Sequence, residues 1–364
     1  MCNSYQMLFD DQKRILYKEN SEVPQLHDGE LLVRIRYTTL CGSDIHTFTG
    51  KRTEPSPIVL GHEIVGEVVA LPADGPVYDL KGDLLQTGDF ITWTIFAAPQ
   101  HDEYYRQSIP QKAKGLFKYG HVQCTPENAY SGGLATHCIL RRGTGILKVP
   151  AAVPPTLAPV INCAGATVMA AFRILDTVEQ RNVVIFGAGV LGLIAAAVAK
   201  TSGAATVTMV DISNGRLQLS RSFGADFVYN SSRPKEELSA ITSGFYKQGF
   251  DVVLDMSGAP EAMRTGLDYS AVGAQNIWVG GVTPMDPLPV NPELMIRRLL
   301  TIRGMHNYNY DDFVKAVDFF EQHVSDFPFV QFIEKAFPLE QAYEAFEYAV
   351  AHKPFRVLIT NFDD

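Results

Sequence analysis

A glycine-rich turn between a strand pattern and a helix pattern constrains the fold of this chain most. Asn182–Phe186 is an apolar run of strand length, and the sequence Gly-Ala-Gly-Val-Leu-Gly follows it directly. An alanine-rich helix pattern begins within this turn, and Asp211 closes the next apolar run. That order is typical of a βαβ unit that binds a dinucleotide phosphate. The residues expected at the phosphates are Gly187, Gly189, Val190, Leu191 and Gly192.

The acidic residue after the second strand favours one nicotinamide cofactor over the other. The carboxylate of Asp211 can bond both ribose hydroxyls but would repel a 2′-phosphate, so NAD is favoured over NADP. Arg216 lies close enough in sequence to weaken that preference slightly. Two alternatives remain: an α/β domain whose glycines serve only packing, and a FAD site, although no second flavin motif is visible.

The alternation continues beyond this unit and predicts a doubly wound parallel sheet of the α/β class. Helices are expected at Val190–Thr201 and Asn214–Phe223, with strands at Asn182–Phe186, Thr206–Asp211, Asp226–Tyr229, Asp251–Met256 and Asn276–Gly280.

The first 150 residues have a different pattern, with short β-type runs separated by Gly, Pro and Asp. Such a pattern is typical of a β-rich, barrel-like domain. Near the end of the chain, two amphipathic helices and a strand, Phe355–Thr360, are expected to return to this domain. We therefore predict a catalytic domain of residues 1–158 and 291–364 and a dinucleotide-binding domain of residues 159–290.

Bulk properties exclude several classes of function. A length of 364 residues favours two domains. The formal charge of -9 argues against nucleic acid or an anionic membrane as a partner. No apolar run is long enough to span a membrane, and residues 1–17 show no signal-peptide core. Five widely spaced cysteines do not form a disulfide framework, so the cytoplasm is the expected compartment.

A cluster of potential metal ligands lies in the first domain. Cys41, His62 and Glu63 fall within 23 residues. A catalytic zinc site uses three such protein ligands and leaves one position for water or substrate. Interleaved polar side chains suit support of the ligands and proton transfer; they are Ser43, Asp44 and His46. Taken singly, Cys41 could be a buried free cysteine, and His62 with Glu63 a surface pair.

Together these motifs resemble the zinc-containing medium-chain dehydrogenase/reductase family, which is alcohol dehydrogenase-like. The resemblance covers essentially the whole chain and implies a GroES-like barrel domain beside a Rossmann domain. It implies that Cys41 and His62 bind zinc and that Cys163, 24 residues before Gly187, supplies the second thiolate. Glu63 would stand behind the metal or act as an exchanging fourth ligand.

The same resemblance implies roles for the interleaved residues. Asp44 would orient His62, while Ser43 and His46 would form the proton relay, His46 acting through the nicotinamide ribose. Three further cysteines match no family role and are expected to be structural; they are Cys2, Cys124 and Cys138.

One segment departs from the family pattern. Many relatives carry a structural zinc in a lobe with four cysteines, but the corresponding residues 97–121 contain none. His101 and His121 alone cannot form a closed zinc site. We expect one zinc per subunit, and a lobe stabilised by packing of Tyr104, Tyr105, Phe117 and Tyr119.

Two short segments, Leu116–His121 and Asn162–Ala164, resemble a subgroup associated with phosphonate metabolism. Lys51 and Arg52 follow His46 on a loop that the resemblance places near the active-site mouth. They suit a phosphonate or carboxylate on the substrate, although a solvated charge pair is the alternative. Weaker candidates for binding such an anion lie in the lobe; they are Lys112, Lys114 and Lys118.

The expected function is a zinc-dependent oxidoreductase that transfers a hydride between an alcohol, or its aldehyde or ketone, and NAD(H). A polyol, sugar or threonine-type dehydrogenase of the same family is one alternative. A non-catalytic NAD-binding protein is another. The expected partners are a small-molecule substrate and further copies of the chain, as a homodimer or homotetramer. Relatives join through edge strands of the dinucleotide domain, which suggests Asn276–Gly281 here.

Overall fold

The computed structural model describes residues 4–10, 12, 14–20 and 26–361, so Cys2 lies outside the described residues. In chain order the strands are β1 (Ser4–Phe9), β2 (Ile15–Asn20), β3 (Leu31–Thr39), β4 (Ile58–Val59), β5 (Glu63–Ala70), β6 (Phe90–Ala97), β7 (Phe117–Lys118), β8 (His137–Leu140), β9 (Thr144–Lys148), β10 (Asn182–Phe186), β11 (Thr206–Asp211), β12 (Phe227–Asn230), β13 (Phe250–Asp255), β14 (Ser270–Trp278), β15 (Thr301–Gly304), β16 (Ile333–Pro338) and β17 (Arg356–Thr360). The α-helices are α1 (Gly42–Phe48), α2 (Glu103–Arg106), α3 (Ala166–Arg173), α4 (Val190–Thr201), α5 (Asn214–Ser220), α6 (Glu236–Ser243), α7 (Pro260–Asp268), α8 (Pro292–Arg298), α9 (Tyr310–His323) and α10 (Ala342–His352). Among the described residues, no helix is both long and apolar enough to cross a membrane.

The chain forms two compact units. The first comprises the described parts of residues 1–166, together with 308–324 and 329–361, and the second comprises 167–307 and 325–328. The sequence pattern placed the divisions after residues 158 and 290. The second unit extends to 307 because β15 pairs in parallel with β14 and so completes the same sheet.

An eight-stranded sheet forms the frame of the first unit, with β3 between β17 and β5. Both neighbours are antiparallel to β3, and the register sets Thr39 opposite Glu63 and Leu358. The end of β3 therefore lies beside the starts of β5 and β17. This register brings together three chain segments that are far apart in sequence.

Helices α1 and α10 pack at the same side of this frame. The rings of Phe48 and Phe346 stack at 4.7 Å, and Phe346 is fully buried. Most residues of β3, β5 and β6 are buried, so both faces of this part of the sheet are largely covered, and Val33, Ile64 and Trp93 have no exposed surface. Helix α1 is short, so this packing rather than its own length holds it in place.

The second unit is a six-stranded parallel sheet in the order β12-β11-β10-β13-β14-β15. The central strand β10 is almost wholly buried, and nine of the twelve residues of α4 are buried. This arrangement confirms the parallel sheet of the α/β class that the sequence predicted. The bounds of β10, α4 and β11 are those that the sequence pattern predicted.

The prediction that Asn276–Gly281 forms an edge of this sheet is wrong. Asn276 lies in β14, which pairs with β13 on one side and β15 on the other. The edge strand at this end of the sheet is β15, a run of four residues that ends in Arg303 and Gly304. So short a run, with a single apolar residue, has no recognisable strand pattern.

Candidate metal centre

The centre forms where strands end and begin. Cys41 lies two residues after the end of β3, His62 directly precedes β5, and Glu63 is its first residue. Because Thr39 and Glu63 are register partners, these segments are adjacent although they are remote in sequence. His62 and Glu63 are buried, with 2% and 0% of their surface exposed.

Cys163 reaches the same place from a π-helical turn, Ile161–Gly165. Turns of this type are rare and occur frequently at functional sites. One ligand atom from each of Cys41, His62, Glu63 and Cys163 lies within 4.8 Å of all the others. Two thiols, an imidazole and a carboxylate at this spacing are a donor set that suits zinc.

Asp44 supports two of the potential ligands at once. One carboxylate oxygen accepts the backbone N–H of Cys41 at 2.9 Å. The other accepts the N–H of Gly61 at 3.2 Å and lies 3.3 Å from His62 Nδ1. An Nδ1–H directed at a carboxylate leaves Nε2 of the imidazole as the metal-binding atom. The position of Asp44 suits the orienting role that the sequence suggested.

Glu63 is held by an arginine that sequence reasoning missed. Arg356, the first residue of β17, donates from Nε and Nη2 to the two carboxylate oxygens, each at 2.7 Å. Thr39 Oγ1 donates to Glu63 Oε2 at 2.5 Å. Burial raises the pKa of Glu63 to about 7, against the lowering effect of Arg356. An arginine at the head of the apolar strand Arg-Val-Leu-Ile-Thr is the signal that could have drawn attention to it.

The surroundings favour a thiolate at Cys41. A hydrogen bond from the Cys163 thiol lowers the pKa of Cys41 well below its usual value, and the positive charge of Arg356 acts in the same direction. Arg356 Nη2 lies 3.6 Å from Cys41 Sγ. Because the thiolate is the form that binds metal, this environment prepares the residue as a ligand.

The two relay candidates lie on successive turns of α1. Ser43 Oγ is 3.5 Å from His62 Nε2, so its hydroxyl is next to the potential ligand. His46 is half-buried, and burial together with the charges of Lys51 and Arg52 lowers its pKa. The structure therefore places Ser43 directly at the centre and His46 one turn farther along the helix.

The cysteine-free lobe packs through some of the expected aromatic residues. Tyr119 is fully buried, and its hydroxyl bonds to Thr144 Oγ1 at 2.7 Å and accepts the N–H of Arg141 at 2.9 Å. Phe117 lies edge-on to Tyr119, and Tyr105 contacts Tyr310. The expectation for Tyr104 is wrong, because 40% of its surface is exposed.

Part of the lobe lies directly on the centre, which sequence reasoning missed. A Cβ at Gly120, which has a φ of +73°, would lie 2.6 Å from the carbonyl oxygen of Gly61, so only glycine fits. The ring of His121 lies 5.1 Å from that of His62, centroid to centroid, and its Nδ1 is 2.9 Å from Glu54 Oε1. Burial lowers the pKa of His121 well below its usual value.

The cationic residues near the centre differ in their surroundings. Lys51 is exposed, whereas Arg52 Nε pairs with Glu54 Oε1 at 2.6 Å. Burial lowers the pKa of Lys118, whose charge interacts with Arg52 and with the potential ligand Cys163. The positive charge of Lys118 thus acts on one of the potential metal ligands.

In the second unit, the glycine turn has the geometry expected of a phosphate-binding loop. A Cβ at Gly192 would lie 1.8 Å from the carbonyl oxygen of Gly187, whereas one at Gly189 would meet nothing within 4 Å. Gly189 is the N-cap of α4, so open space adjoins a helix N-terminus. Asp211 accepts the N–H groups of Ala188 at 2.7 Å and Ser213 at 2.8 Å. These residues fit a dinucleotide. Val190 and Leu191 begin α4, and Arg216 lies in the first turn of α5.

Comparison with known proteins establishes the family. Residues 27–151 match the model of the alcohol dehydrogenase GroES-like domain, and residues 190–322 match that of the zinc-binding dehydrogenases. An L-threonine 3-dehydrogenase from Escherichia coli is 30% identical over 306 residues, covering 78% of this chain and 79% of the relative. The chain belongs to the zinc-binding, alcohol dehydrogenase-like family of medium-chain dehydrogenases/reductases. It is accordingly an enzyme of the zinc-dependent dehydrogenase class.

Solved structures agree with this assignment. An alcohol dehydrogenase from Thermotoga maritima superimposes with a TM-score of 0.93 at 28% identity, and the match covers all of both chains. An alcohol dehydrogenase from Thermus sp. ATN1 has the same fold, with a TM-score of 0.84 at 23% identity over 98% of this chain and 100% of the other.

Proposed function

We propose that this protein is an NAD-dependent alcohol dehydrogenase with one catalytic zinc per subunit. The observation that carries the proposal is the group of ligand atoms within 4.8 Å of one another in a zinc-binding dehydrogenase. Cys41, His62 and Cys163 would hold the ion, with Glu63 behind it. A zinc ion held there would act as a Lewis acid that polarises the substrate oxygen, while the nicotinamide exchanges the hydride.

Side chains of the first unit would handle the proton. Ser43 Oγ, next to His62, is placed to accept the hydroxyl proton of an alcohol or to return it to a carbonyl. His46 would exchange that proton with solvent, because its lowered pKa keeps the imidazole neutral near pH 7 and thus able to accept it. Asp44 would keep the imidazole of His62 in the tautomer that binds metal.

The choice of NAD over NADP rests on Asp211. Its carboxylate caps the glycine turn through Ala188 and ends β11, where an adenosine ribose would bind. A 2′-phosphate would meet this negative charge, whereas two free hydroxyls could bond to it. Arg216 offers a partial counter-charge, so we expect a preference for NAD rather than absolute exclusion of NADP.

The substrate is proposed to carry a phosphonate or carboxylate. The cationic groups near the potential ligands support this proposal; they are Lys51, Arg52 and Lys118. Arg52 is already paired with Glu54, so an incoming anion would compete with that carboxylate. Lys51 is exposed and the charge of Lys118 interacts with Cys163, so we expect both to contribute to the attraction.

A threonine-type substrate is the second candidate. It is favoured by the E. coli relative named an L-threonine 3-dehydrogenase, whose identity extends over most of the chain. Its carboxylate could use the same cations, and its ammonium group could face Glu54, which has 9% of its side chain exposed.

Assembly into a homodimer or homotetramer is also proposed. The exposed apolar side chains of Ile296 and Leu299, 73% and 71% exposed, precede the edge strand β15. An unpaired strand edge beside exposed apolar side chains suits pairing with a second copy.

A substrate panel tests the proposal. Simple alcohols, polyols, threonine and hydroxyalkyl phosphonates and carboxylates are offered with NAD or NADP, and nicotinamide absorbance is recorded before and after removal of zinc. We expect zinc-dependent NAD reduction, highest with an anionic alcohol and reduced at least fivefold in Lys118→Gln. Higher turnover of neutral polyols would contradict the anionic assignment, and no zinc-dependent turnover with any substrate would favour a non-catalytic NAD-binding protein.

A further inference from the structure

The residue before Cys163 makes contacts that no sequence motif predicted. Asn162 is fully buried within the π-helical turn. Its Nδ2 donates two hydrogen bonds, one to the carbonyl oxygen of Trp93 at 2.8 Å and one to that of His62 at 3.2 Å. A single amide group thus connects the segment that carries Cys163 to the backbone of a second potential ligand.

The backbone of Asn162 is fixed as well. Its carbonyl oxygen accepts a hydrogen bond from the hydroxyl of Tyr308. That hydroxyl in turn accepts the N–H of Ile95 at 2.9 Å. Both Trp93 and Ile95 belong to β6, so the π-helical turn is fastened to the sheet from two directions.

In the side-chain amide of Asn162, only the Nδ2 group forms hydrogen bonds. Asn162 Oδ1 has no hydrogen-bond partner among the described residues, although it is buried. A buried polar atom without a partner carries a cost of about 1–3 kcal/mol. An isosteric apolar residue would avoid that cost, so the amide is best explained by what its N–H groups hold in place.

We propose that Asn162 is a positioning residue that sets the distance between Cys163 and His62 and thereby the affinity of the centre for zinc. The inference rests on the proposed zinc site. A ligand set that is fixed before the ion arrives needs little reorganisation when it binds, and loss of such a supporting contact costs roughly 10- to 100-fold in metal affinity. The effect should therefore appear in metal binding before any turnover is measured.

Asn162→Asp is the sharpest test, because it keeps the shape of the side chain while replacing the two N–H donors with oxygen. A carboxylate oxygen would then face two carbonyl oxygens. The matched control is Asn276→Asp in the second unit, where the amide is equally buried and its Nδ2 donates to Ser270 Oγ at 3.1 Å.

Zinc affinity is measured by competition with a chromogenic chelator, and Co²⁺ replaces zinc for absorption spectra of the thiolate-ligated ion. We expect Asn162→Asp to bind zinc at least tenfold more weakly and to shift the Co²⁺ d–d bands. Asn276→Asp should match the wild type in both. Equal zinc affinity within twofold and unchanged Co²⁺ spectra in Asn162→Asp would overturn the inference, while failure of the wild type to bind zinc would instead refute the proposed function.

Should Asn162→Asp not fold, Asn162→Ser provides the second variant. Its hydroxyl can donate one hydrogen bond in place of two and carries no charge. We expect the zinc affinity of Asn162→Ser to lie between that of the wild type and that of a protein without either hydrogen bond. Its Co²⁺ bands should shift less than those expected for Asn162→Asp. A serine variant that matches the wild type in both measurements would likewise overturn the inference.

Discussion

Removal of Arg356 should destabilise the first unit far more than removal of an exposed arginine. Glu63 is 0% exposed and Arg356 9% exposed, and two 2.7 Å hydrogen bonds join them. Above pH 7, replacement of Arg356 by Met leaves a buried carboxylate without its counter-charge. Loss of one partner of a buried pair typically costs about 3–5 kcal/mol, so we expect a decrease of that size in the free energy of unfolding.

The destabilisation should also depend on pH. Burial holds the pKa of Glu63 near 7 in the presence of Arg356, and loss of the arginine raises it further. Well below pH 7 the Glu63 carboxyl is protonated in both folded proteins, so the difference between their free energies of unfolding stays constant. Above pH 7, folding of the variant still requires Glu63 to take up a proton or to bury an unpaired charge, whereas the wild type has Arg356 as counter-charge. The variant's loss in free energy of unfolding, relative to the wild type, should therefore grow by up to about 1.4 kcal/mol per pH unit.

Urea unfolding of chelator-treated protein measures this effect without a metal contribution. The chain has two tryptophans, and Trp278→Phe leaves Trp93, buried in the first unit, as the fluorescent reporter. Arg36→Met is the matched control, because Arg36 pairs with Glu67 at 2.9 Å on the same sheet but with both side chains partly exposed. We expect it to cost no more than about 1 kcal/mol.

A double variant separates the pair from its surroundings. Glu63→Leu combined with Arg356→Met removes both charges, and a buried ion pair replaced by apolar residues of similar size is often neutral in stability. The double variant should therefore be more stable than Arg356→Met alone. Equal losses of unfolding free energy in Arg356→Met and Arg36→Met would refute the reasoning. So would a loss in the double variant that equals the sum of the losses in Glu63→Leu and Arg356→Met.

Two further predictions concern the proton relay and the cofactor turn. Lys51→Gln removes a positive charge that lowers the pKa of His46, so the acidic limb of the kcat/KM profile for alcohol oxidation should move to higher pH; an unmoved limb would exclude His46 as the titrating group. Gly192→Ala places a methyl group 1.8 Å from the carbonyl oxygen of Gly187 and should weaken NADH binding at least tenfold by fluorescence titration. Gly244→Ala, with 3.6 Å to its nearest neighbour, should bind NADH normally, and parity of the two variants would contradict the role of the turn.

Features that depend on neighbouring residues were predictable from sequence. The turn that opens α4 follows from local rules, because tight turns and close helix packing require glycine at fixed positions. Cys41 and Asp44 are three residues apart, so the hydrogen bond from the backbone N–H of Cys41 to the Asp44 carboxylate is a local contact. The family pattern then supplied Cys163, which the structure places within 4.8 Å of the other potential ligands.

Features that depend on strand register were not predictable in the same way. Arg356 meets Glu63 across 293 positions only because β17 and β5 flank β3 in a particular register. The closeness of His121 to His62 follows from a single left-handed glycine in the lobe, Gly120, and nothing in the local sequence reveals it.

Metal content of the purified subunit tests the central claim most directly. Zinc is quantified by mass spectrometry in the wild type, in Cys163→Ser and in Cys138→Ser; Cys138 is fully buried in β8 and outside the ligand group. We expect one zinc per subunit in the wild type and in Cys138→Ser. Cys163→Ser should lose zinc and activity yet bind NADH as the wild type does. Full activity in a zinc-free Cys163→Ser protein would contradict the account.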